Sequence, residues 1–315
     1  MQKMSIEAAQ VRLEGPTMGT QWSVLIDGLA PKTAPALQRA LQHAVQEVDS
    51  QMSTWSATSD LMRFNAAPLN TWIKLPLRLV RVLAAGLAAS QATGGAFEMN
   101  VGNAVRAWGF GADKIDLGAI RTASAARPVR AIDALELDMG NSQAKKSAPL
   151  ALDLSGIAKG YGVDRLAEVL QEFGISQALC SLDGEVRALG TQGNGDPWAV
   201  TIELPDDAMR HPHSVLALAD CAVATSGDYR HFVKVKDHRL SHTIDPRRSA
   251  PLIDAPASVS VLAQSCMQAD ALATALMVMG VEAGVAFSKK NAISALFLIR
   301  AGENFETFGT GVYSG

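Results

Sequence analysis

LALDLSGIAKGYGVDRLAEVLQEFGISQALCSLDGE, residues 150–185, decides how the chain is to be read. Leu150 to Leu154 is an apolar run of strand length, and Ser155 stands where a helix cap would. From Ile157 to Phe173 the apolar residues fall at helical spacing, Gly174 supplies a stop, and a second strand is expected after it. The segment therefore predicts strand, turn, helix and strand. Gly156 and Gly160 leave the backbone open at the helix start, where N–H groups and the positive end of the dipole suit an anion such as phosphate, and Lys159 adds a full charge. The plainer alternative is a tight strand-to-helix turn with a solvated lysine. Neither GxGxxG nor GxxxxGK[ST] occurs, so the dinucleotide and P-loop fingerprints are absent.

Outward from this segment, VRLEG (11–15), QWSVLIDG (21–28), AVTIELP (199–205), SVLALAD (214–220) and HFVKVK (231–236) alternate as strands do. LQRALQHAVQEVDSQMS (37–53) places Leu37, Leu41, Val45 and Val48 on one helical face. LPLRLVRVLAAGLAASQATGG (75–95) repeats the pattern and stops at Gly94–Gly95. MGNSQAKKSAP (139–149), TQGNGDP (191–197) and PDDAMRHPH (205–213) are rich in turn formers and predict loops. Strands mixed with irregularly placed helices, without strict alternation, predict an α+β fold with mixed or antiparallel sheets and flanking helices. No linker-like or repeated segment divides the chain, so residues 11–313 are expected to form one unit behind a short extension, residues 1–10.

At 315 residues, 48% hydrophobic and 19% charged, the chain can bury a large core, which excludes disorder and fibrous structure. Its net charge of −3 excludes electrostatic capture of nucleic acid or an anionic membrane. The apolar run LATALMVMGVEAGVAF (272–287) is broken by Glu282 and falls short of the roughly 20 residues of a bilayer span. The start, MQKMSIEAAQ, has no apolar signal core, so the chain as written is expected in the cytoplasm, or in the periplasm if a leader has been removed. Cys180, Cys221 and Cys266 are isolated in apolar stretches and read as small buried hydrophobes, not as a disulfide framework or a zinc site.

Three further segments carry candidate chemistry. In QSCMQADALATALMVMGVEAG (264–284), Asp270 and Thr274 are four apart on one helix face, an oxygen pair suited to Mg²⁺ with its waters and substrate phosphates; a dipole-favoured surface Asp is the alternative. SHTIDPRRSAP (241–251) offers His242 and Asp245 in a proline turn, where an imidazole of reference pKa about 6.5 could accept a proton from a hydroxyl. A loop His bonded to a nearby Asp is the alternative. ATSGDYRHF (224–232) places Thr225, Ser226, Gly227 and Asp228 in a turn that either holds a phosphate or closes the strand. Trp55, in a polar setting, offers a face for stacking on a planar ring or for core packing. The remaining histidines, His43, His211, His213, His231 and His238, have no metal spacing.

Taken in order, PTMGTQWSV (16–24), MSTWSATSDLMRFN (52–65), TGGAFEMNVGNAVRAWGFG (93–111), DLSGIAKGYGVD (153–164), ATSGDYRHF, SHTIDP and ADALATALMVMG (269–280) resemble the ApbE family of FAD:protein FMN transferases, formerly described as thiamine biosynthesis lipoproteins. The resemblance spans nearly the whole chain. It implies a two-lobed α+β fold with FAD and Mg²⁺ in the cleft between the lobes, and transfer of the FMN half of FAD to a Thr or Ser hydroxyl of an acceptor protein with release of AMP. Carried onto this sequence, it places Met18, Trp55, Ala96, Phe97, Glu98, Asp153, Lys159, Ser226 and Ile244 at the flavin nucleotide. It gives Mg²⁺ the Gly156 carbonyl with Asp270 and Thr274, and makes His242, with Asp245, the catalytic pair.

Departures are also visible. The family's HxIDPxTGxP appears as HTIDPRRSAP, with Arg248 and Ser249 for the Thr–Gly pair; its GGD-like turn appears as Asp183–Gly184–Glu185; and Glu98 replaces an Asp. Two other readings follow from the same residues: an FAD pyrophosphatase that uses water as acceptor, and a non-catalytic FAD-binding or storage protein.

Overall fold

The computed structural model describes residues 10–125, 129–206, 211–228, 232–235, 238–253, 255–302 and 304–314. Outside them fall the expected extension up to residue 9, His231 and part of the 205–213 loop. Gln10 itself already belongs to the first strand.

The chain opens with the hairpin β1 (Gln10–Thr17) and β2 (Thr20–Asp27), followed by α1 (Ala34–Met52), α2 (Asp60–Ala66), β3 (Ile73–Lys74) and α3 (Leu77–Ala92). Next come α4 (Gly102–Ala107), α5 (Leu117–Ala125), α6 (Ala131–Ala134), β4 (Leu135–Asp138) and β5 (Gln143–Lys146). After α7 (Ala158–Glu172) the strands β6 (Ala178–Leu182), β7 (Glu185–Leu189), β8 (Trp198–Glu203), β9 (Pro212–Leu218) and β10 (Ala222–Gly227) run in sequence. The series β11 (Phe232–Val235), β12 (His238–Asp245), β13 (Ala250–Ile253) and β14 (Ser258–Ala263) leads into α8 (Cys266–Lys290), β15 (Ser294–Ala301) and β16 (Asn304–Gly309).

Eight strands in the order β1-β2-β6-β7-β10-β14-β15-β16 make the main sheet; β11-β12-β13, β3-β5-β4 and β8-β9 make smaller ones. Every described ladder is antiparallel, so the expected α+β class holds and, among the described residues, no mixed sheet is present. One face of the main sheet is covered by α1, α7 and α8, with Trp22, Val24, Leu37, Leu41, Leu166 and Cys180 in the seam. The opposite face receives the β8–β9 hairpin through Trp198, Val200 and Leu218. A separate cluster built on Leu61, Phe64, Leu79, Leu83, Leu152 and Leu154 joins α2 and α3 to the start of α7.

Three expectations need correction. Leu150–Leu154 is extended and buried but belongs to no sheet: Asp153 N–H donates to Met99 O (2.8 Å), while Ala151 and Leu152 N–H donate to the side chains of Asn100 (2.7 Å) and Asn65 (2.9 Å). Burial gave it a strand's apolar pattern, and asparagine side chains replaced the neighbouring strand. Ser155 does not cap α7; Ile157 stands at the cap and makes no side-chain bond there. Within the expected 139–149 loop, Gln143–Lys146 forms β5, because Ala144 is drawn into the core between β3 and β4.

α8 is long and apolar enough to cross a membrane by length and composition, yet it packs on β10, β14 and α7, and Glu282 lies on its exposed side. The contact with α7 is reciprocal. Asp164 on α7 accepts from the N–H groups of Cys266 and Met267 (both 2.9 Å), the first turn of α8, while Asp270 on α8 accepts from Gly160 N–H (2.9 Å), in the first turn of α7. Each carboxylate thus sits at the positive end of the other helix and satisfies donors that would otherwise lack an acceptor. Arg187 adds a 2.6 Å bond to Asp164. The helices approach so closely that a Cβ on Gly160 would lie 2.4 Å from Cys266 O.

Gly160→Ala is therefore expected to push α7 from α8 and destabilise by about 3 kcal/mol or more, since the clash is with backbone. Gly174→Ala, at φ 75° with open space around the site, should cost only about 1–2 kcal/mol through its backbone conformation. Urea unfolding compares the two; equal losses would mean that close helix packing is not what Gly160 provides.

Candidate functional site

A cleft of about 1410 Å³ is lined by residues that range in sequence from Arg12 to Val278. Thirteen of the fourteen nominated residues line it: Met18, Trp55, Ala96, Phe97, Glu98, Asp153, Gly156, Lys159, Ser226, His242, Ile244, Asp270 and Thr274. Asp245 does not. Its carboxylate is buried and turned back on the chain, accepting from Arg247 N–H (2.9 Å) and from the Arg247 guanidinium (3.0 and 3.1 Å), so it fixes the turn after β12.

Two hairpin turns of the main sheet lie on the cleft. Between β1 and β2 the two-residue loop Met18–Gly19 has φ 47° and 72°, and between β6 and β7 the loop Asp183–Gly184 has φ 53° and 107°. Both are left-handed turns that match strand twist. Because β2 pairs with β6, the turns lie side by side, and Thr20 Oγ1 donates to Asp183 Oδ1 (3.3 Å).

The helix starts form the floor. Lys159 reaches Glu185 Oε1 at 2.7 Å and Asp183 Oδ2 at 3.3 Å, with 31% of its side chain exposed. Burial alone would lower its pKa, but Glu185, Asp270 and Asp183 outweigh it and hold the ammonium above the usual lysine value. The same burial acts on the acids: Glu185 is pushed up to about 7 and Asp270 to about 6, in each case held back by Lys159. The expected open helix start is not found at Gly160, whose N–H is taken by Asp270 and whose missing Cβ makes room for α8.

Gly156 lies against Thr274, since a Cβ there would be 2.8 Å from Thr274 Oγ1, and that hydroxyl is 3.2 Å from Ser226 Oγ. Among the described residues no group of three or more His, Cys, Asp or Glu is arranged for a metal. A cation here would depend on one carboxylate, Asp270, helped by neutral oxygens: the Thr274 hydroxyl and the Gly156 carbonyl. That all-oxygen set fits Mg²⁺, which keeps most of its waters, and not a soft metal.

Opposite, Trp55 is 67% exposed and presents an indole to the cleft. Phe97 and Glu98 are nearly buried. Glu98 is committed to the fold, accepting from Asn100 N–H (2.8 Å), Ala131 N–H (3.0 Å) and Ser90 Oγ (3.4 Å). Asp153 closes a turn by accepting from Ser155 N–H (2.8 Å). His242 sits where the β12–β13 register shifts between Leu240 and Ile244, an irregularity that re-aims a side chain, and its ring meets Phe110 edge-on at 6.5 Å. Ser249, at the glycine position of the family pattern, keeps a left-handed φ of 50°. The buried thiols of Cys180 and Cys266 are pushed well above their usual pKa by burial and serve packing.

Sequence reasoning did not single out Asp183 and Glu185 as candidates, which the structure places on the cleft beside Lys159. The available signal was Asp-Gly flanked by apolar alternation, a hairpin turn with an acid on either side.

A family model described as the ApbE family matches residues 18–297. The chain is 36% identical over 306 residues to an FAD:protein FMN transferase of Vibrio cholerae, covering 96% of this chain and 91% of that one. It is 31% identical over 302 residues to a protein of the same name from Escherichia coli, covering 94% and 86%. Among solved structures it is similar to the flavin transferase ApbE from Vibrio cholerae (TM-score 0.84, 35% identity, 96% and 97% covered). The flavinyl transferase ApbE of Pseudomonas stutzeri in its apo form gives a TM-score of 0.84 at 32% identity, with 97% and 96% covered.

Because burial raises Asp270 and Glu185 above unfolded values near 4, folding takes up protons between about pH 4 and pH 7, and metal-free protein loses stability as pH rises through that window. Asp270→Asn keeps an acceptor for Gly160 N–H without the charge and should stabilise metal-free protein by about 1–3 kcal/mol at pH 7.5. The gain should shrink toward pH 4.5; a pH-independent effect in urea unfolding would contradict this. Ser249→Gly should relieve its turn by up to about 1 kcal/mol in the same assay, whereas a loss would mean the hydroxyl holds the turn.

Proposed function

The chain belongs to the ApbE family and is an enzyme of flavin transfer, and on that premise we propose that it moves the FMN half of FAD onto a Thr or Ser hydroxyl of an acceptor protein and releases AMP. The observation that carries this reading is the convergence on one cleft of a lysine ammonium, an oxygen set fit for a hard cation and a re-aimed histidine.

In this reading Lys159 meets a phosphate of the dinucleotide, and the exposed face of Trp55 stacks on one of its rings. His242 takes the proton from the acceptor hydroxyl as its oxygen bonds to the FMN phosphorus. The bond from that phosphorus to the bridging oxygen breaks, and the electron pair leaves with AMP. Asp270, Thr274 and the Gly156 carbonyl would hold Mg²⁺, whose chemistry is to neutralise charge on the phosphoryl oxygens and on the leaving group. Ser226 orients the Thr274 hydroxyl through their 3.2 Å contact.

Hydrolysis of FAD to FMN and AMP is the second reading. It uses the same groups with water as acceptor, and the replacement of Thr–Gly by Arg248–Ser249 a few residues beyond His242 is what motivates it.

Incubation with FAD, MgCl₂ and a candidate acceptor domain should give a fluorescent band in a denaturing gel and one AMP per flavin attached. His242→Ala should slow band formation by about 10²–10⁴-fold. MgCl₂ should raise the melting temperature of the wild type but not of Asp270→Asn. No band with FAD intact overturns the transfer reading; free FMN at the same rate with and without the acceptor selects hydrolysis.

A further inference from the structure

Among the described residues, Glu185 is a buried acid at the cleft that the proposed chemistry leaves without a task. Glu185 is 2% exposed, and while its Oε1 lies 2.7 Å from Lys159 Nζ, its Oε2 is fully enclosed without a hydrogen-bond partner. A half-satisfied buried carboxylate is expensive, and native structures keep few of them. Its direction is set by backbone: Glu185 is the first residue of β7, directly after the tight Asp183–Gly184 turn, and pairs with Leu182 across it. Lys159, by contrast, ends a flexible four-carbon stem and is partly exposed in the cleft. Asp183 also reaches the ammonium, but at 3.3 Å and with 32% of its side chain exposed, where solvent weakens such pairs. Asp270 adds negative charge from α8 without a direct bond to the ammonium among those described.

We propose that Glu185 is a positioning residue, whose rigid carboxylate holds the Lys159 ammonium at one place on the cleft wall, so that the ammonium meets phosphate charge as it develops and need not be recruited from many rotamers. This rests on the flavin-transfer reading. Glu185 acts through Lys159 and contributes little to FAD affinity, because an unclamped lysine still attracts the phosphates of bound FAD. What is lost without the clamp is placement during phosphoryl transfer.

A double-mutant cycle with Glu185→Gln and Lys159→Met tests this, using FAD, MgCl₂ and the acceptor domain, with AMP release giving the rate and flavin fluorescence the FAD Kd. Glu185→Gln should lower the rate about tenfold while the Kd moves less than about twofold, and in the Lys159→Met background it should change neither beyond about twofold. Its melting temperature should equal or exceed the wild-type value. Glu185→Asp, which keeps the charge one methylene short, should recover part of the rate. If Glu185→Gln does not melt cooperatively, the cycle is read with Glu185→Asp, whose loss must likewise vanish beside Lys159→Met. An unchanged rate, an equal loss in both backgrounds, or a Kd that weakens as much as the rate falls overturns the proposal. Wild type that binds FAD but releases no AMP overturns the functional reading, and the proposal with it, a result distinct from an additive cycle in an active enzyme.

Discussion

Two buried carboxylates that close one another's helix starts are the constraint on which the site depends. Asp164 receives the first N–H groups of α8, and Asp270 receives an N–H from the first turn of α7. Neither helix could slide or rotate along the other without stranding donors at a helix end, where the cost of an unsatisfied buried group applies. The glycine at 160 permits the approach, and the approach places Gly156, Lys159, Asp270 and Thr274 around one end of the cleft. Both helices rest on the same antiparallel sheet, so the hairpin turns that carry Met18, Asp183 and Glu185 are registered against them. Residues separated by more than two hundred positions thus acquire fixed relations through a few backbone hydrogen bonds.

The electrostatics follow from the same arrangement. The chain has a net charge of −3, so its bulk charge does not attract a dinucleotide. Around Lys159 the acids Asp183, Glu185 and Asp270 outnumber the cation, and burial raises the proton affinity of the latter two. Such a cluster is poorly matched to itself: too many carboxylates for one ammonium, in a place where charge is costly. A divalent cation at the oxygen set would supply the missing positive charge and let phosphates approach the acids.

How much of this was legible in the sequence differs by the kind of interaction. α1, α3 and α7 were plain, because a helix that buries one face writes its period into the chain: Leu37, Leu41 and Val45 need nothing else to be recognised. Leu150–Leu154 looked like a strand for the right physical reason, full burial, but pairing is a tertiary property, and the asparagines that satisfy its backbone lie about fifty and ninety residues upstream. Gly160 was legible as a glycine that mattered and misassigned to an anion, since a glycine beside a ligand and a glycine beside a helix leave the same mark. Asp245 could not be separated from a catalytic acid by sequence, because only the fold shows Arg247 folded over it. Glu185 stayed hidden because its partner is twenty-six residues away and on a different element.

The departures from the family pattern are more conservative in backbone than in side chain. At Ser249 the pattern has glycine and the φ remains left-handed; at Asp183, where the pattern also has glycine, the φ is left-handed again. The turn survives both replacements at a cost of up to about 1 kcal/mol for a side chain in that region, least for Asp, which tolerates it best. Met18, which lies in a segment that matches the family, is likewise left-handed, in a two-residue hairpin where Asn or Gly would be easier. A non-glycine in the left-handed region persists only when the surroundings over-determine it or its side chain earns its place. Met18 fills the seam between two core clusters beside the cleft, and Asp183 adds a carboxylate to Lys159. The backbone path of each turn is left-handed whatever residue it carries, and the side chains carried on it are where this chain sets the charge along the cleft.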